Sequence, residues 1–460
     1  MKSIKRSVVL ITLDCLRADY SNLLLESTLP LLKDGCCLFK RAFANGPGTN
    51  QSFPSIFSST PFLVHGGLQL CGSVRTLAQA LREEGYYTVG FHSNPFLSGK
   101  LGWGRGFTEF YDFLEKISGP AAMAVKARGI KRAALRLVGQ FLSGSSKRLW
   151  ARVNRLYYEL GGARLPYVEA RELNSHVVSW LKRYGRGKPL FLWVHYMDTH
   201  SPFAPPEPWL EGFDSREEAI LFNYAVDPEN PTVEDVERLR KLYEGEVKYV
   251  AAALLELLSS LQDLGILEKA LVIVTADHGE AFMEHGKLGH AYDALYNELL
   301  HVPLVIFGLE RGGVVEEPVQ LMDLAPTVLE ALGVKRPRTF MGQSFYSLLR
   351  DGEYNERPIF SESAVPDLIN LRYDTERFIV SVIYRGWKLI YDLIHSREPN
   401  LELYDLRKDF SEHKNLANEK PEIVKELLKL VESHVREVKV KRAIYRNIDL
   451  TKRSLRAHDG

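Results

Sequence analysis

The feature that most restricts this chain is a series of apolar, β-branched runs that each stop on a residue able to do chemistry. Ser7-Val-Val-Leu-Ile-Thr-Leu13 stops on Asp14, and Leu271-Val-Ile-Val-Thr-Ala276 stops on Asp277 and His278. Residues 88–91 are followed by Asn94, and residues 190–195 by Asp198 and His200; a further apolar run covers 304–307. Helical periodicity fills the gaps, at 76–84, 173–184 and 236–264. Short apolar strands alternating with helices predict an α/β fold, a large and mostly parallel (mixed) sheet sandwiched by helices. In such sheets ligands bind beyond the carboxyl ends of the strands, which is where these polar residues fall.

At 460 residues the chain is long for one domain. The alternation holds to about 352, so 1–352 is expected to be the main α/β domain, the one that carries the polar strand ends. Short strands at 378–384 and 387–392 and a helix over 422–437 predict a smaller α+β domain at 353–460, with a charged, loosely packed tail from Lys439. Residues 117–164 interrupt the alternation with a basic, helical insertion. Apolar residues from Met123 to Phe141 share one helical face there, with Lys131, Arg132 and Arg136 beside it, a pattern suited to peripheral contact with an anionic membrane surface. The net charge of +1 gives no reason to expect a nucleic acid partner. Four cysteines without a CxxC pair argue against a disulfide framework or zinc knuckle. The first apolar run is too short to span a bilayer and ends on an acid, so the expected address is cytoplasmic.

Asp277-His278 at a strand end can direct a carboxylate and an imidazole at one cation, and Gly279 lets the chain turn away. Asp14 ends a wholly apolar strand and needs a partner, because an isolated buried charge is expensive. Asn45-Gly-Pro-Gly-Thr49-Asn-Gln-Ser52-Phe-Pro54-Ser55 presents hydroxyls from a flexible loop ahead of an apolar stretch that can begin a helix.

Taken in order, these segments resemble the sulfatases of the alkaline phosphatase superfamily. Ile11-Thr-Leu-Asp14-Cys-Leu-Arg-Ala-Asp19 resembles the family's opening metal strand, and Ser52-Phe-Pro-Ser55 its nucleophile with x-Pro-Ser. Met197-Asp198-Thr-His200, Thr275-Ala-Asp277-His278-Gly-Glu280, Glu284-His285-Gly and Gly289-His290 follow in family order, as do Leu321-Met-Asp323-Leu-Ala-Pro326 and Glu402-Leu-Tyr-Asp405. The resemblance implies a metal-dependent hydrolase cleaving sulfate esters. Asp14, Asp277, His278 and Ser52 would hold one divalent cation, calcium by family habit, with manganese or zinc as alternatives. Ser52 would attack, His200 would bind the scissile group, and His290 would protonate the leaving oxygen. His285 and Asp198 are further candidates. The implied partner is a sulfated or phosphorylated small molecule, glycan or lipid headgroup. Three departures stand out: Cys15 replaces a second acid, Ile56 replaces the arginine of the maturation motif, and Phe91-His-Ser-Asn94-Pro lacks the family's lysine. They keep open a phosphoester hydrolase or headgroup transferase working through unmodified Ser52, or a non-catalytic anion binder.

Overall fold

The computed structural model describes residues 5–28, 35–117, 122, 125–126, 163–184, 188–309, 312–367 and 372–458. The basic insertion expected at 117–164 lies almost wholly outside the described residues, and its membrane reading with it. No helix among the described residues is long and apolar enough to cross a membrane.

Strands β1 (Ser7–Leu13), β2 (Cys37–Phe43), β3 (Tyr87–His92), β4 (Glu109–Tyr111), β5 (Leu190–Tyr196), β6 (Ala270–Ala276), β9 (His301–Phe307), β10 (Gly313–Val315) and β11 (Val319–Gln320) form one sheet. Its order is β10-β2-β9-β6-β1-β5-β3-β4, with β11 also pairing β2. The centre is parallel: β1 pairs β5 on one side and β6 on the other, and β3 pairs β5 and β4. β9 runs antiparallel to both β6 and β2, so the sheet is mixed, as expected from the sequence. A two-stranded ribbon, β7 (Ala281–Phe282) with β8 (Leu288–Gly289), lies beyond the end of β6.

β1, β5 and β6 are buried along nearly their whole length, which explains continuous apolar runs in place of alternation. Helices cover them. Val233–Asp263 starts on Thr232, whose side chain and that of Asp235 cap each other's backbone N–H. Leu239, Tyr243, Val247, Val250, Leu254, Leu257 and Leu261 form its buried stripe. The helix Thr49–Ser58 is almost entirely enclosed. Phe53 and Phe57 set their rings edge-on against Trp193 of β5, 5.6 and 4.8 Å between centroids, each contributing about 2–3 kcal/mol of burial.

A second sheet is antiparallel, in the order β12 (Ile359–Asp367), β13 (Arg372–Tyr384), β14 (Trp387–Asp392) and β15 (Asn400–Asp405). One face, with Ile379, Ile383 and Ile390, belongs to the core of the large sheet. The other, with Val380, Val382, Leu389 and Leu403, packs with Leu427, Val431, Val438 and Tyr445 of the last helix. That helix runs Pro421–His458, past the end expected at 437 and through the tail expected to be loosely packed. The reason is spacing: Val438, Arg442 and Tyr445 return to one face and are buried.

Candidate active site

The backbone ladders bring the polar strand ends together. Leu13 pairs Ala276 across β1 and β6, and Asp277 N–H donates to the Leu13 carbonyl, 3.3 Å, carrying the ladder one residue further. Asp14 N–H donates to Tyr196 O, 2.9 Å. Asp14 and Asp277 are therefore neighbours on the carboxyl edge of the sheet. Just after Asp14 the chain turns, Cys15 taking a left-handed φ of 61°. Tyr243 pins that turn, its hydroxyl donating to Cys15 O, 2.8 Å, and accepting from Arg17 N–H, 3.0 Å.

Asp14, Asp277 and His278 are completely buried, and one ligand atom from each lies within 4.8 Å of the others. His278 Nε2 is 3.5 Å from Asp14 Oδ1 and 3.6 Å from Asp277 Oδ2. His278 Nδ1–H donates to Gly279 O, 2.8 Å, which leaves the Nε2 lone pair facing the carboxylates. Gly279 has no room for a side chain, because a Cβ would lie 2.0 Å from Glu298 O. Burial pulls His278 down to about 4, keeping it neutral as a ligand must be. Burial alone would push the Asp14 carboxyl up, but the hydrogen bond from His195 and the charges of His200 and His195 hold it well below the ordinary value. Asp277 goes the other way, raised by burial and then by the charge of Asp14. Its Oδ2 has no hydrogen-bond partner. A buried carboxylate pair with one orphaned oxygen and a forward-facing imidazole fits a divalent cation.

The hydroxyl at this cluster belongs to Thr49, whereas the sequence reading put Ser52 there. Thr49 is the first residue of its helix, after Gly48. Its Oγ1 donates to Asp14 Oδ2, 3.2 Å, and lies 3.5 Å from His278 Nε2. Ser52 sits one turn further in, fully buried, with its Oγ bonded to nothing. Ser52 was marked by the resemblance of Ser52-Phe-Pro54-Ser55 to the family's nucleophile with x-Pro-Ser, and Pro54 lies inside this helix. The signal for Thr49 was Gly46-Pro-Gly48 immediately before it. Gly48 itself lies against His290, a Cβ there falling 3.8 Å from the ring.

Around this core Asn94 Nδ2 donates to Asp14 Oδ2, 2.9 Å, and His195 Nε2 meets the same oxygen at 3.1 Å. Both stood at strand ends in the sequence without an assigned role. His200 and His290 gather at the rim, their ring centroids 5.0 Å apart, with His290 4.9 Å from His278. His290 Nδ1 is 3.3 Å from Glu280 Oε1. Burial would lower its pKa, and the Glu280 carboxylate more than reverses that. Glu280, buried beside the Asp-His pair, was not singled out by sequence. Burial, then the carboxylates of Glu280, Asp14 and Asp277, push the Cys15 thiol well above its usual range. Two candidates serve elsewhere. His285 stacks on Tyr296 at 3.8 Å and bonds Glu298 and the Glu412 carbonyl. Asp198 accepts from Ala170 N–H, 3.0 Å, at the start of the helix Ala170–Arg183, and burial raises it to about 7.

Residues 6–334 match the family model described as Sulfatase. The chain belongs to the sulfatase family. Residues 284–441 also match the model of the C-terminal region of N-sulphoglucosamine sulphohydrolase. Among curated sulfatases, Arylsulfatase K of Danio rerio is 29% identical over 217 residues, 47% of this chain and 40% of that one. Arylsulfatase K of Mus musculus is 30% identical over 219 residues, 46% and 39%, so the chain aligns with less than half the length of these relatives. The phosphonate monoester hydrolase SpPMH from Silicibacter pomeroyi superposes with a TM-score of 0.68 at 20% identity, over 95% of this chain and 96% of that one. BT4656, solved in complex with its substrate D-glucosamine-2-N,6-O-disulfate, gives 0.65 at 16% identity, over 95% and 98%. At these identities the likeness is one of fold. Sulfatases depend on divalent cations, and the buried Asp14, Asp277 and His278 can hold one.

Proposed function

We propose that this chain is a metal-dependent hydrolase of sulfate esters in which Thr49, not Ser52, is the attacking group. The observation that carries the reading is the Thr49 hydroxyl at a helix N-terminus, 3.2 Å from Asp14 Oδ2 and 3.5 Å from His278 Nε2. The cation held by Asp14, Asp277 and His278 would polarise a nonbridging oxygen of the ester and favour ionisation of the hydroxyl. Asp14 Oδ2 takes the Thr49 hydrogen bond and orients the oxygen for attack. With its own proton lost to solvent, Thr49 Oγ1 would bond to sulfur as the bond from sulfur to the alcohol oxygen breaks, and the departing oxygen would take a proton from the His290 imidazolium. His200, beside His290, binds the sulfuryl oxygens. Water would then attack the sulfur, giving a proton back to His290 as the bond from sulfur to Thr49 Oγ1 breaks and sulfate leaves. Two carboxylates, an imidazole and a hydroxyl admit calcium, manganese or zinc. The C-terminal family match and the sulfated glucosamine that BT4656 takes as substrate favour a sulfated sugar as the ester.

An unmodified threonine hydroxyl also favours a second reading, phosphoester hydrolysis through a phosphorylated Thr49. Both are tested by one panel of aryl sulfate, phosphate monoester, phosphate diester, phosphonate monoester and N-sulfated or O-sulfated glucosamine. Turnover of sulfates above phosphates supports the first reading, and the reverse order the second. Thr49→Ala should lower kcat/KM at least about a thousandfold, while Ser52→Ala leaves it within about threefold. A Ser52→Ala variant as dead as Thr49→Ala would return the role to Ser52. A metal-loaded enzyme turning over nothing in the panel would leave a binding protein.

A further inference from the structure

The oxygens of this centre are nearly all spoken for. Asp14 Oδ2 already receives Thr49, Asn94 and His195. The Asn94 amide oxygen accepts from Phe96 N–H, 2.9 Å, and is turned away. That leaves Asp14 Oδ1, the orphaned Asp277 Oδ2 and His278 Nε2 facing one another. A further donor stands beside two of them, Asp14 and His278. Cys15 Sγ is 3.2 Å from Asp14 Oδ1, and it lies within 4.8 Å of ligand atoms of His278 and His290 in one group and of Asp14 and His200 in another. Cys15 is fully buried and held in a left-handed conformation. That conformation is costly for a residue with a Cβ, and it persists where the surroundings enforce it.

We propose that Cys15 supplies its thiolate to the cation held by Asp14, Asp277 and His278, so that the centre takes a thiophilic ion, zinc, in preference to calcium. The inference rests on the reading of this cluster as a cation centre. Calcium requires about six to eight oxygen donors. The described residues at this point bring two carboxylates and one hydroxyl, together with an imidazole and a thiol. One sulfur, one nitrogen and two oxygens are a zinc donor set. Donors about 2.0–2.3 Å from a tetrahedral ion lie about 3.3–3.7 Å from each other. The observed Oδ1–Nε2, Oδ2–Nε2 and Sγ–Oδ1 separations of 3.5, 3.6 and 3.2 Å already approach that spacing. On binding, the S–H bond breaks, a sulfur–metal bond forms and the proton leaves to the buffer. His290 Nδ1, 3.6 Å from Sγ, stays free of the metal and close to the thiolate.

The test uses the full chain, stripped with a chelator and loaded with one equivalent of cobalt(II). The wild type should show an intense near-ultraviolet thiolate-to-cobalt band, and zinc at equal concentration should erase it while millimolar calcium does not. In Cys15→Ser the band should vanish while the weak visible cobalt bands remain, with zinc affinity about 10–100-fold lower. Cys15→Asp, which also restores a carboxylate, should shift preference toward calcium at least tenfold. Cys36, Cys37 and Cys71 remain in every variant as controls. Visible cobalt bands with no charge-transfer band in the wild type, or a band that survives in Cys15→Ser, would overturn the thiolate. Failure of cobalt, zinc and calcium alike to bind the wild type would instead overturn the cation centre itself.

Discussion

At the scale of single residues, the rim histidines make the most direct prediction. His290 must carry a proton to give it to the leaving oxygen, so activity is full below its pKa and lost as pH rises through it. Glu280 holds that pKa above the ordinary 6.5. The alkaline limb of kcat/KM should therefore lie above pH 6.5, and Glu280→Gln should move it to lower pH, because the carboxylate charge is gone. His290→Gln should remove the limb, with the largest losses on esters of poor leaving groups. An alkaline limb unchanged in Glu280→Gln would separate His290 from the acid role. Asp14, Asp277 and His278 were legible in the sequence because a charge that ends a buried apolar strand has to meet a counter-charge there. The proposed attacking hydroxyl was not: Thr49 lies one turn before Ser52 in the same helix, and the resemblance to x-Pro-Ser marked only Ser52.

Among the elements, the junction between the second sheet and the large one is the most exposed to test. Lys388 of β14 is wholly buried, its Nζ 2.6 Å from Glu412 Oε1 and 2.9 Å from Asn297 Oδ1. Glu412 Oε2 accepts from Asn297 N–H, 2.6 Å. Asn297 opens the short helix Asn297–Leu300 that leads into β9, so this ion pair ties the two sheets. Lys388→Met strands a buried carboxylate and should cost about 3–5 kcal/mol, read as a lower urea midpoint at constant slope. Adding Glu412→Gln should recover most of the loss; a single variant costing under about 1 kcal/mol would demote the pair to decoration. Elements differ in how plainly the sequence reveals them. The strands buried on both faces stood out as apolar runs. β2 did not, because Lys40 and Arg41 interrupt it where its pairing with β9 shifts register. β12 and β15 were missed as well, since each takes its pattern from partners supplied by distant parts of the chain.

For the whole molecule, the second sheet shares one face with the main core and the other with the helix Pro421–His458. A chain cut after 352 would bare Phe62, Leu63 and Val64, which are buried against the second sheet and the last helix, and it should aggregate on expression. Intact, the described body should melt in one calorimetric transition with matching van't Hoff and calorimetric enthalpies. Two resolved transitions, or a soluble 1–352 fragment, would show the parts to be independent. The pairing of β1 with β6 also sets an order of birth. β1 emerges from the ribosome before β6, mostly apolar and without the neighbour that completes it, while the strand leading to Asp277 is still untranslated. Through that interval the nascent chain displays a sticky segment that chaperones recognise. Of the proposed metal ligands, Asp14 is synthesised long before Asp277 and His278. A cation held by both Asp14 and Asp277, as proposed, would therefore enter only after β1 and β6 have paired.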